Sequence, residues 1–241
     1  RLETQQEDSG VRHLVVDEMQ DYSMLQYLII KKLFPCRMTV LGDREQTMDG
    51  EEQDVLTFLP KIFGKDIRKI VMNKSYRNTM EIASYANALA GIDSVELFER
   101  HGKPVEEQEF ADEEEALDKV VEKLHLERSG ESQNEPEMQD GYETAAVIAR
   151  TEKEAREMYL LLKEKLEAVE FDTENRLSLL HRDSTSFRKG LTVTTFYMAK
   201  GLEFDQVFSV FPAEDQRKLV QRARYIAATR ALHELYMYGV R

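Results

Sequence analysis

Two adjacent carboxylates, Asp17 and Glu18, directly follow the short apolar run 13–16. In open α/β sheets, ligands bind beyond the carboxyl ends of the strands, so a strand that ends in such a pair suits a nucleotide site. The first carboxylate can hold Mg²⁺, and the second can take a proton from an attacking water. An acidic turn after a strand would give the same pattern, so both interpretations stay open for this pair alone.

Two further groups of polar residues follow apolar runs. Gln46 comes shortly after the run 38–41 and the break at Gly42 and Asp43. A glutamine there can hydrogen-bond both a phosphate oxygen and a water, although a plain turn explains it equally well. Tyr76 can stack on a purine, while the guanidinium of Arg77 can reach a phosphate in a forked geometry. Ordinary surface packing is the alternative for this pair.

The last two groups lie in the C-terminal part of the sequence. Gly201 permits a tight turn between two apolar runs, and Glu203 offers acceptors suited to a ribose hydroxyl. Arg230 ends a helical pattern and can point across a cleft at a transferring phosphate. Basic residues are also favoured near the C-terminus of a helix, which is the simpler explanation for a single arginine.

These side chains need a scaffold, and the periodicity predicts strands alternating with helices. Strands are predicted at residues 13–16, 38–41, 67–72, 145–149, 191–196, 206–211 and 235–238. Helices are predicted after Ser23, after Asn78 with Glu81 as its capping partner, and over residues 152–168 and 217–231. This order predicts an α/β fold with a mainly parallel sheet and helices on both faces. Residues 106–115, with seven acidic side chains, are interpreted as a solvated helix entrance, and residues 127–141 as a flexible loop.

Composition narrows the classes of protein. The 241 residues suffice for one large or two small domains. No apolar run approaches the roughly 20 residues of a membrane-spanning helix, which excludes that class from the sequence. The single cysteine, Cys36, excludes an intrachain disulfide and favours a reducing compartment. A net charge of −13 argues against a surface that holds nucleic acid by charge alone.

The five groups, in this order, resemble motifs II to VI of superfamily 1 helicase-type ATPases of the UvrD/Rep kind. The matching segments are VVDEMQD, LGDREQ, KSYRNT, TTFYMAKGLEFD and YIAATRA, and the resemblance extends over residues 11–238. It implies RecA-like sheets flanked by helices. Residues 1–72 would be the C-terminal part of a first RecA-like domain, and residues 73–241 a second one.

The resemblance also implies a role for each matching residue, with ATP and Mg²⁺ as cofactors. Acidic groups of the first segment are implied to bind Mg²⁺ (Asp17) and to act as general base (Glu18). Gln46 is implied to sense the γ-phosphate, and Tyr76 to stack on the base. Arg77 and Arg230 are implied to be paired γ-phosphate arginines, while Glu203 contacts the ribose beside the Gly201 turn.

The P-loop signature G-x-x-x-x-G-K-[ST] does not occur in the sequence. In the family it lies upstream of the acidic pair, so we expect this chain to begin partway through the first RecA-like domain. Because the P-loop supplies much of the phosphate binding, we expect the chain alone to hydrolyse ATP negligibly.

Departures from the DNA-unwinding members favour one branch of the superfamily. The residues after Gln46 are not the aromatics that stack on single-stranded bases in those members, Tyr197 and Met198 stand where motif V has its usual histidine, and the chain has no tryptophan. With the DYS and TRALHEL segments, these features resemble the HelD branch, which implies a bacterial cytoplasmic motor that acts on RNA polymerase. A DNA helicase or single-stranded DNA translocase is the alternative. A non-catalytic interaction module is a third reading, which the intact motif residues argue against.

Overall fold

The computed structural model describes residues 10–43, 55–64, 66–72, 74–92, 96–97, 99–124, 142–184 and 188–241. The chain divides into two compact units, Arg1–Met72 and Asn73–Arg241. Two sequence predictions lie outside the described residues: the γ-phosphate sensor Gln46 and the loop at 127–141. The assignment of the units to two RecA-like domains stays a prediction.

The first unit contains a two-stranded parallel sheet. Strand β1 (His13–Val16) pairs with β2 (Arg37–Val40), and helices α1 (Met24–Leu33) and α2 (Val55–Phe63) accompany them. Its core is formed by Val16, Tyr27, Val55, Phe58, Leu59 and Ile62. The predicted capping box is confirmed, because Ser23 and Gln26 exchange side-chain-to-backbone hydrogen bonds at the start of α1.

The strand predicted at residues 67–72 is wrong. Residues 66–72 are irregular, and the side chains of Ile70, Val71 and Met72 are 69%, 69% and 86% exposed. The apolar run suited a strand, but it joins no sheet in the described part of the chain. Strand propensity depends on packing against neighbours, which this run lacks there.

The second unit is built on a six-stranded parallel sheet, which confirms the predicted fold class. The strands are β5 (Glu106–Phe110), β6 (Thr144–Ala149), β7 (Leu177–Leu179), β8 (Gly190–Thr195), β9 (Phe204–Pro212) and β10 (Ala231–Val240). Their order in the sheet is β5-β10-β9-β6-β8-β7, and every neighbouring pair runs parallel. A separate parallel pair joins β3 (Lys74–Ser75) to β4 (Glu96–Leu97).

Helices cover both faces of this sheet. They are α3 (Met80–Ala90), α4 (Glu113–Lys123), α5 (Glu152–Ala168), the short α6 (Thr173–Arg176) and α7 (Lys218–Ala228). On one face α4 and α5 pack with Phe208, Val210 and Tyr236 in the main core. The alternate residues of β9 point the other way, where α3 and α7 pack together and contact β9 and β10. No helix in the described residues is long and apolar enough to cross a membrane.

Several boundaries differ from the sequence predictions. Residues 106–110 form the edge strand β5 instead of a helix entrance, because outward-facing carboxylates are a common way to protect a sheet edge while Phe110 is buried. The short strand β7 was not predicted. Helix α3 is capped by Thr79, not by Asn78, whose side chain is used elsewhere. Helix α7 ends at Ala228, and β10 begins earlier than predicted, at Ala231.

Two leucines on α5 provide a direct test of this packing. Leu162 is fully buried, whereas Leu160 on the same helix is 64% exposed. Replacing Leu162 by alanine leaves a cavity and is expected to lower the free energy of unfolding by about 2–5 kcal/mol. The matched change Leu160→Ala should cost no more than about 0.5 kcal/mol. Denaturant unfolding followed by circular dichroism measures both, and equal losses would contradict the burial described.

Candidate functional site

The acidic pair lies directly beyond the carboxyl end of β1. The Oδ1 of Asp17 accepts a hydrogen bond from the Glu18 N–H at 2.8 Å. Glu18 has φ 49 and ψ 52, a left-handed conformation that costs a non-glycine residue about 1–3 kcal/mol. Such strain collects at sites where the direction of a side chain matters. The Asp17 side chain is exposed, so it is accessible to a ligand.

Gln20, which sequence reasoning did not single out, joins the two loops of the first unit. Its Nε2 donates to Oε2 of Glu18 at 2.6 Å, and its Oε1 accepts from the backbone N–H of Asp43 at 3.2 Å. The side chain is buried, with 6% exposed. The amide therefore fixes the Glu18 carboxylate relative to the loop that follows β2. Its position two residues after the carboxylates was the only signal in the sequence.

Gly42 is required by the close approach of these two loops. A Cβ on this residue would lie 2.7 Å from the backbone nitrogen of Met19 and 2.5 Å from Oε1 of Gln20. The backbone also joins the loops, since the Met19 N–H donates to the carbonyl of Leu41 at 2.8 Å. Any side chain at position 42 would displace Gln20 and, with it, the support of Glu18.

The first-unit carboxylates suit Mg²⁺ held together with a nucleotide. Both offer oxygen atoms, which Mg²⁺ prefers, and magnesium in nucleotide sites is bound by one or two carboxylates with phosphates and water. Within the described residues no group of three His, Cys, Asp or Glu side chains could hold a metal. Asp17 and Glu18 therefore fit an ion that arrives with phosphates, not a metal centre built by side chains alone.

In the second unit, two predicted site residues contact each other. The Nε of Arg77 lies 2.7 Å from Oε1 of Glu203, and the two side chains are 48% and 42% exposed. The sequence suggested separate ligands for them, a phosphate and a ribose. In this structure they form an ion pair at the surface. Tyr76, the predicted base-stacking residue, is 62% exposed beside them.

Arg230 is buried, with 2% of the residue exposed. Its guanidinium donates to the carbonyl of Leu202 at 3.4 Å and to Oγ1 of Thr229 at 3.1 Å. The sequence predicted a guanidinium aimed across a cleft, whereas here it points into its own unit. Its role as a phosphate-binding arginine stays a prediction, and that role requires the side chain to change conformer.

The placement of two motifs corrects a sequence expectation. All five groups were expected beyond the carboxyl ends of strands. Glu203 immediately precedes β9 and Arg230 immediately precedes β10, so both lie at the amino-terminal edge of the sheet. The reason is the connection after β8, which must pass β6 to enter β9 on its far side. Gly201 lies in this connection with φ 75, a conformation that favours glycine.

Side-chain hydrogen bonds bring the remaining motif to the same edge. Asn78 Nδ2 donates to the carbonyl of Ala231 at 2.5 Å, across 153 residues of chain. Arg100, another residue that sequence reasoning missed, donates to the carbonyl of Arg77 at 3.2 Å and to that of Leu232 at 2.9 Å. The segments that contain Arg77, Glu203 and Arg230 are thereby assembled within one unit.

Residues 190–238 match the UvrD-like helicase C-terminal domain. The matched segment begins with β8 and ends within β10, so it includes Gly201, Glu203 and Arg230. Arg77 and the first-unit carboxylates lie outside it. No curated protein matches the chain.

Solved structures of helicases are similar to the chain at low identity. The C-terminal domain of a possible DNA helicase from Lactobacillus plantarum is 23% identical, with 69% of this chain and 88% of that chain covered and a TM-score of 0.48. Arterivirus nonstructural protein 10, a helicase solved with DNA, is 14% identical over 98% of this chain and 41% of its own, with a TM-score of 0.47. The Mycobacterium smegmatis helicase Lhr, bound to single-stranded DNA and AMP-PNP, is 10% identical over 96% of this chain and 29% of its own, with a TM-score of 0.48. The proposals below rest on the residues and their geometry, not on these three likenesses.

The Gln20 bridge yields a prediction about turnover. In the full-length protein, Gln20→Ala would release the Glu18 carboxylate, and kcat for ATP hydrolysis is expected to fall at least about tenfold, a part of the 10²–10⁴-fold that a positioned base contributes. Gln26→Ala removes a glutamine of the same unit that only caps α1, and it should cost about 1 kcal/mol of stability with little change in kcat. Steady-state ATPase and thermal unfolding measure both variants. Equal effects on kcat would contradict the assigned role of Gln20.

Proposed function

We propose that this chain belongs to the motor of an ATP-hydrolysing superfamily 1 helicase-like protein. The observation that carries the proposal is the assembly of Arg77, Glu203 and the Arg230 segment at one edge of the second sheet. These residues come from three distant parts of the chain, and each matches a motif that handles a nucleotide. The UvrD-like helicase match over residues 190–238 supports the same class.

Each unit would contribute separate functions to hydrolysis. In the first, Glu18 would accept a proton from the attacking water, with its carboxylate held by Gln20. Asp17 would bind Mg²⁺, which neutralises charge on the phosphates when it is bound. In the second, Arg77 and Arg230 would stabilise phosphate charge in the transition state. Tyr76 would stack on the base, and Glu203 would contact the ribose.

The sequence contains no P-loop, so we place turnover in the full-length protein and not in this chain alone. The backbone N–H groups and lysine of a P-loop supply binding that none of the residues above replaces. ATP binding and hydrolysis by the isolated chain are therefore expected to be negligible.

For the partner, we propose RNA polymerase, as in the HelD branch that the sequence resembles. The net charge of −13 suits a protein partner that itself binds nucleic acid better than a direct hold on DNA. The missing tryptophan and the residues after Gln46 support the same choice. Such a motor would use ATP to act on transcription complexes in the bacterial cytoplasm.

One surface feature favours single-stranded DNA as a second candidate. Tyr197 is 53% exposed, and the Nζ of Lys200 lies 5.4 Å from the centre of its ring. An exposed aromatic ring beside a cation is a platform on which a base can stack, worth about 1–3 kcal/mol per base. The chain would then belong to a DNA helicase or translocase.

The role of Glu18 is tested by Glu18→Gln in the full-length protein. The amide cannot accept the proton from water, so kcat for ATP hydrolysis should fall about 10²–10⁴-fold while ATP binding is retained. Glu164→Gln makes the same change at an exposed position of α5 and should leave both quantities unaltered. Steady-state ATPase and equilibrium nucleotide binding measure them. Unchanged turnover in Glu18→Gln would remove this residue from catalysis.

The two partners are separated by Tyr197. If single-stranded DNA stacks there, Tyr197→Ala should weaken binding of an oligonucleotide by the full-length protein about 5–150-fold, which corresponds to about 1–3 kcal/mol, and Tyr197→Phe should preserve it. If RNA polymerase is the partner, neither change should affect ATPase stimulation by the core polymerase, and DNA alone should stimulate little. Fluorescence anisotropy with a labelled oligonucleotide, together with ATPase in the presence of each partner, measures the difference. Strong stimulation by DNA alone would contradict the RNA polymerase proposal.

A further inference from the structure

Residues 100–103, Arg-His-Gly-Lys, form a strap between the start of α3 and the start of β10. The backbone carbonyl of Arg100 accepts from the N–H of Met80, the first residue of α3, at 2.8 Å. The next residue, His101, contacts Oε1 of Glu81 through its Nδ1 at 3.0 Å, and the N–H of Gly102 donates to the other Glu81 oxygen at 2.8 Å. These bonds fix the strap to the first turn of α3.

The hydrogen bond with His101 lowers the pKa of the Glu81 carboxyl to about 2. Glu81 is therefore charged at all ordinary pH values, and its bonds to the strap persist. Gly102 adds a close contact, since a Cβ on it would lie 3.0 Å from Cβ of Thr79. The strap thus lies directly against the residue that caps α3.

At its other end, the strap is fixed to β10. Lys103 forms an ion pair with Glu234, whose side chain is only 2% exposed. Gln206 and Tyr236 also donate to Glu234, at 2.7 and 2.6 Å. Burial raises the pKa of the Glu234 carboxyl, but the bonds from Lys103, Tyr236 and Gln206 outweigh burial and hold it below its usual range. The carboxylate remains charged and keeps Lys103 in place.

Between these anchors, the guanidinium of Arg100 bridges two motif segments. Nη1 donates to the backbone carbonyl of Arg77 at 3.2 Å. Nη2 donates to the carbonyl of Leu232 at 2.9 Å and lies 3.0 Å from Nδ1 of His233. A planar guanidinium offers donors in a fixed fork, so one side chain sets the spacing of two backbone segments. Leu232 is two residues beyond Arg230, and thus the bridge connects the segments of both predicted phosphate arginines.

We propose that Arg100 is a positioning residue that sets the placement of Arg77 relative to Arg230. The inference rests on the proposed ATPase function and adds a residue to which no motif assigns a role. Arg100 acts through backbone carbonyls, so it affects the transition state through the two arginines and has no nucleotide contact of its own. A lysine at this position has the charge but lacks the fork, and it cannot bridge both carbonyls in the same way.

The test compares Arg100→Ala and Arg100→Lys in the full-length protein with the matched variant Arg241→Ala. Arg241 also donates two N–H groups, to the exposed Glu109, but beyond the opposite end of β10. In both Arg100 variants, kcat for ATP hydrolysis should fall at least about tenfold while the Kd for ATP changes by less than about threefold, because an interaction made through the transition state lowers kcat selectively. Arg241→Ala should keep the wild-type kcat. Thermal unfolding identifies any general loss of stability.

Hydrogen exchange gives a readout that needs no turnover. Arg100→Ala should speed amide exchange in residues 77–80 and 229–233, and Arg241→Ala should not. An unchanged kcat, or full activity in Arg100→Lys, would overturn the positioning role. Faster exchange with equal losses of ATP binding and turnover would reduce the strap to a structural clamp and also overturn it. A wild-type protein without ATPase activity would refute the proposed function, and faster exchange at both segments would then leave Arg100 as a clamp without a catalytic role.

Discussion

The parallel pairing of β9 with β10 is the constraint on which the second-unit site depends. At its first rung the N–H of Phe204 donates to the carbonyl of Arg230 at 3.0 Å, and Ala231 lies opposite Phe204. This pairing places the residues just before the two strands side by side, namely Glu203 and Arg230. Arg77 is added by the bonds of Asn78 and Arg100 to the start of β10. The site is therefore a property of how two strands begin.

The two arginines are held in different ways, and this difference bears on how a nucleotide would engage them. The Arg77–Glu203 ion pair is about half exposed, and such pairs are worth only about 0–1 kcal/mol. Arg77 can therefore exchange its carboxylate for a phosphate at little cost, since charge-assisted bonds to phosphate are stronger. Arg230 is buried and donates to a backbone carbonyl and a hydroxyl. Its release requires rearrangement of the connection at Leu202, so we infer that it is the more tightly controlled of the two.

Local signals made part of this structure predictable from the sequence. The capping box at Ser23 and Gln26, and the periodicity of residues 152–168, depend on neighbours within a few positions, and the structure contains both helices as predicted. Residues 67–72 and 106–110 were misread because whether a run forms a strand depends on a distant partner. Motif spacing indicated Glu203 and Arg230, but not that they precede their strands. Gln20 and Arg100 were missed because their partners are decided by tertiary packing.

The central claim is that residues of motifs IV, V and VI form one nucleotide-handling edge in the second unit. It is tested most directly by a crystal structure of the full-length protein with Mg²⁺, ADP and aluminium fluoride, which imitates the transferring phosphate. The account predicts that Arg77 leaves Glu203 for the fluoride group, that Arg230 turns out of its buried position to the same group, and that Glu203 approaches the ribose. A bound nucleotide with Arg77 still paired to Glu203 and Arg230 still buried would contradict it.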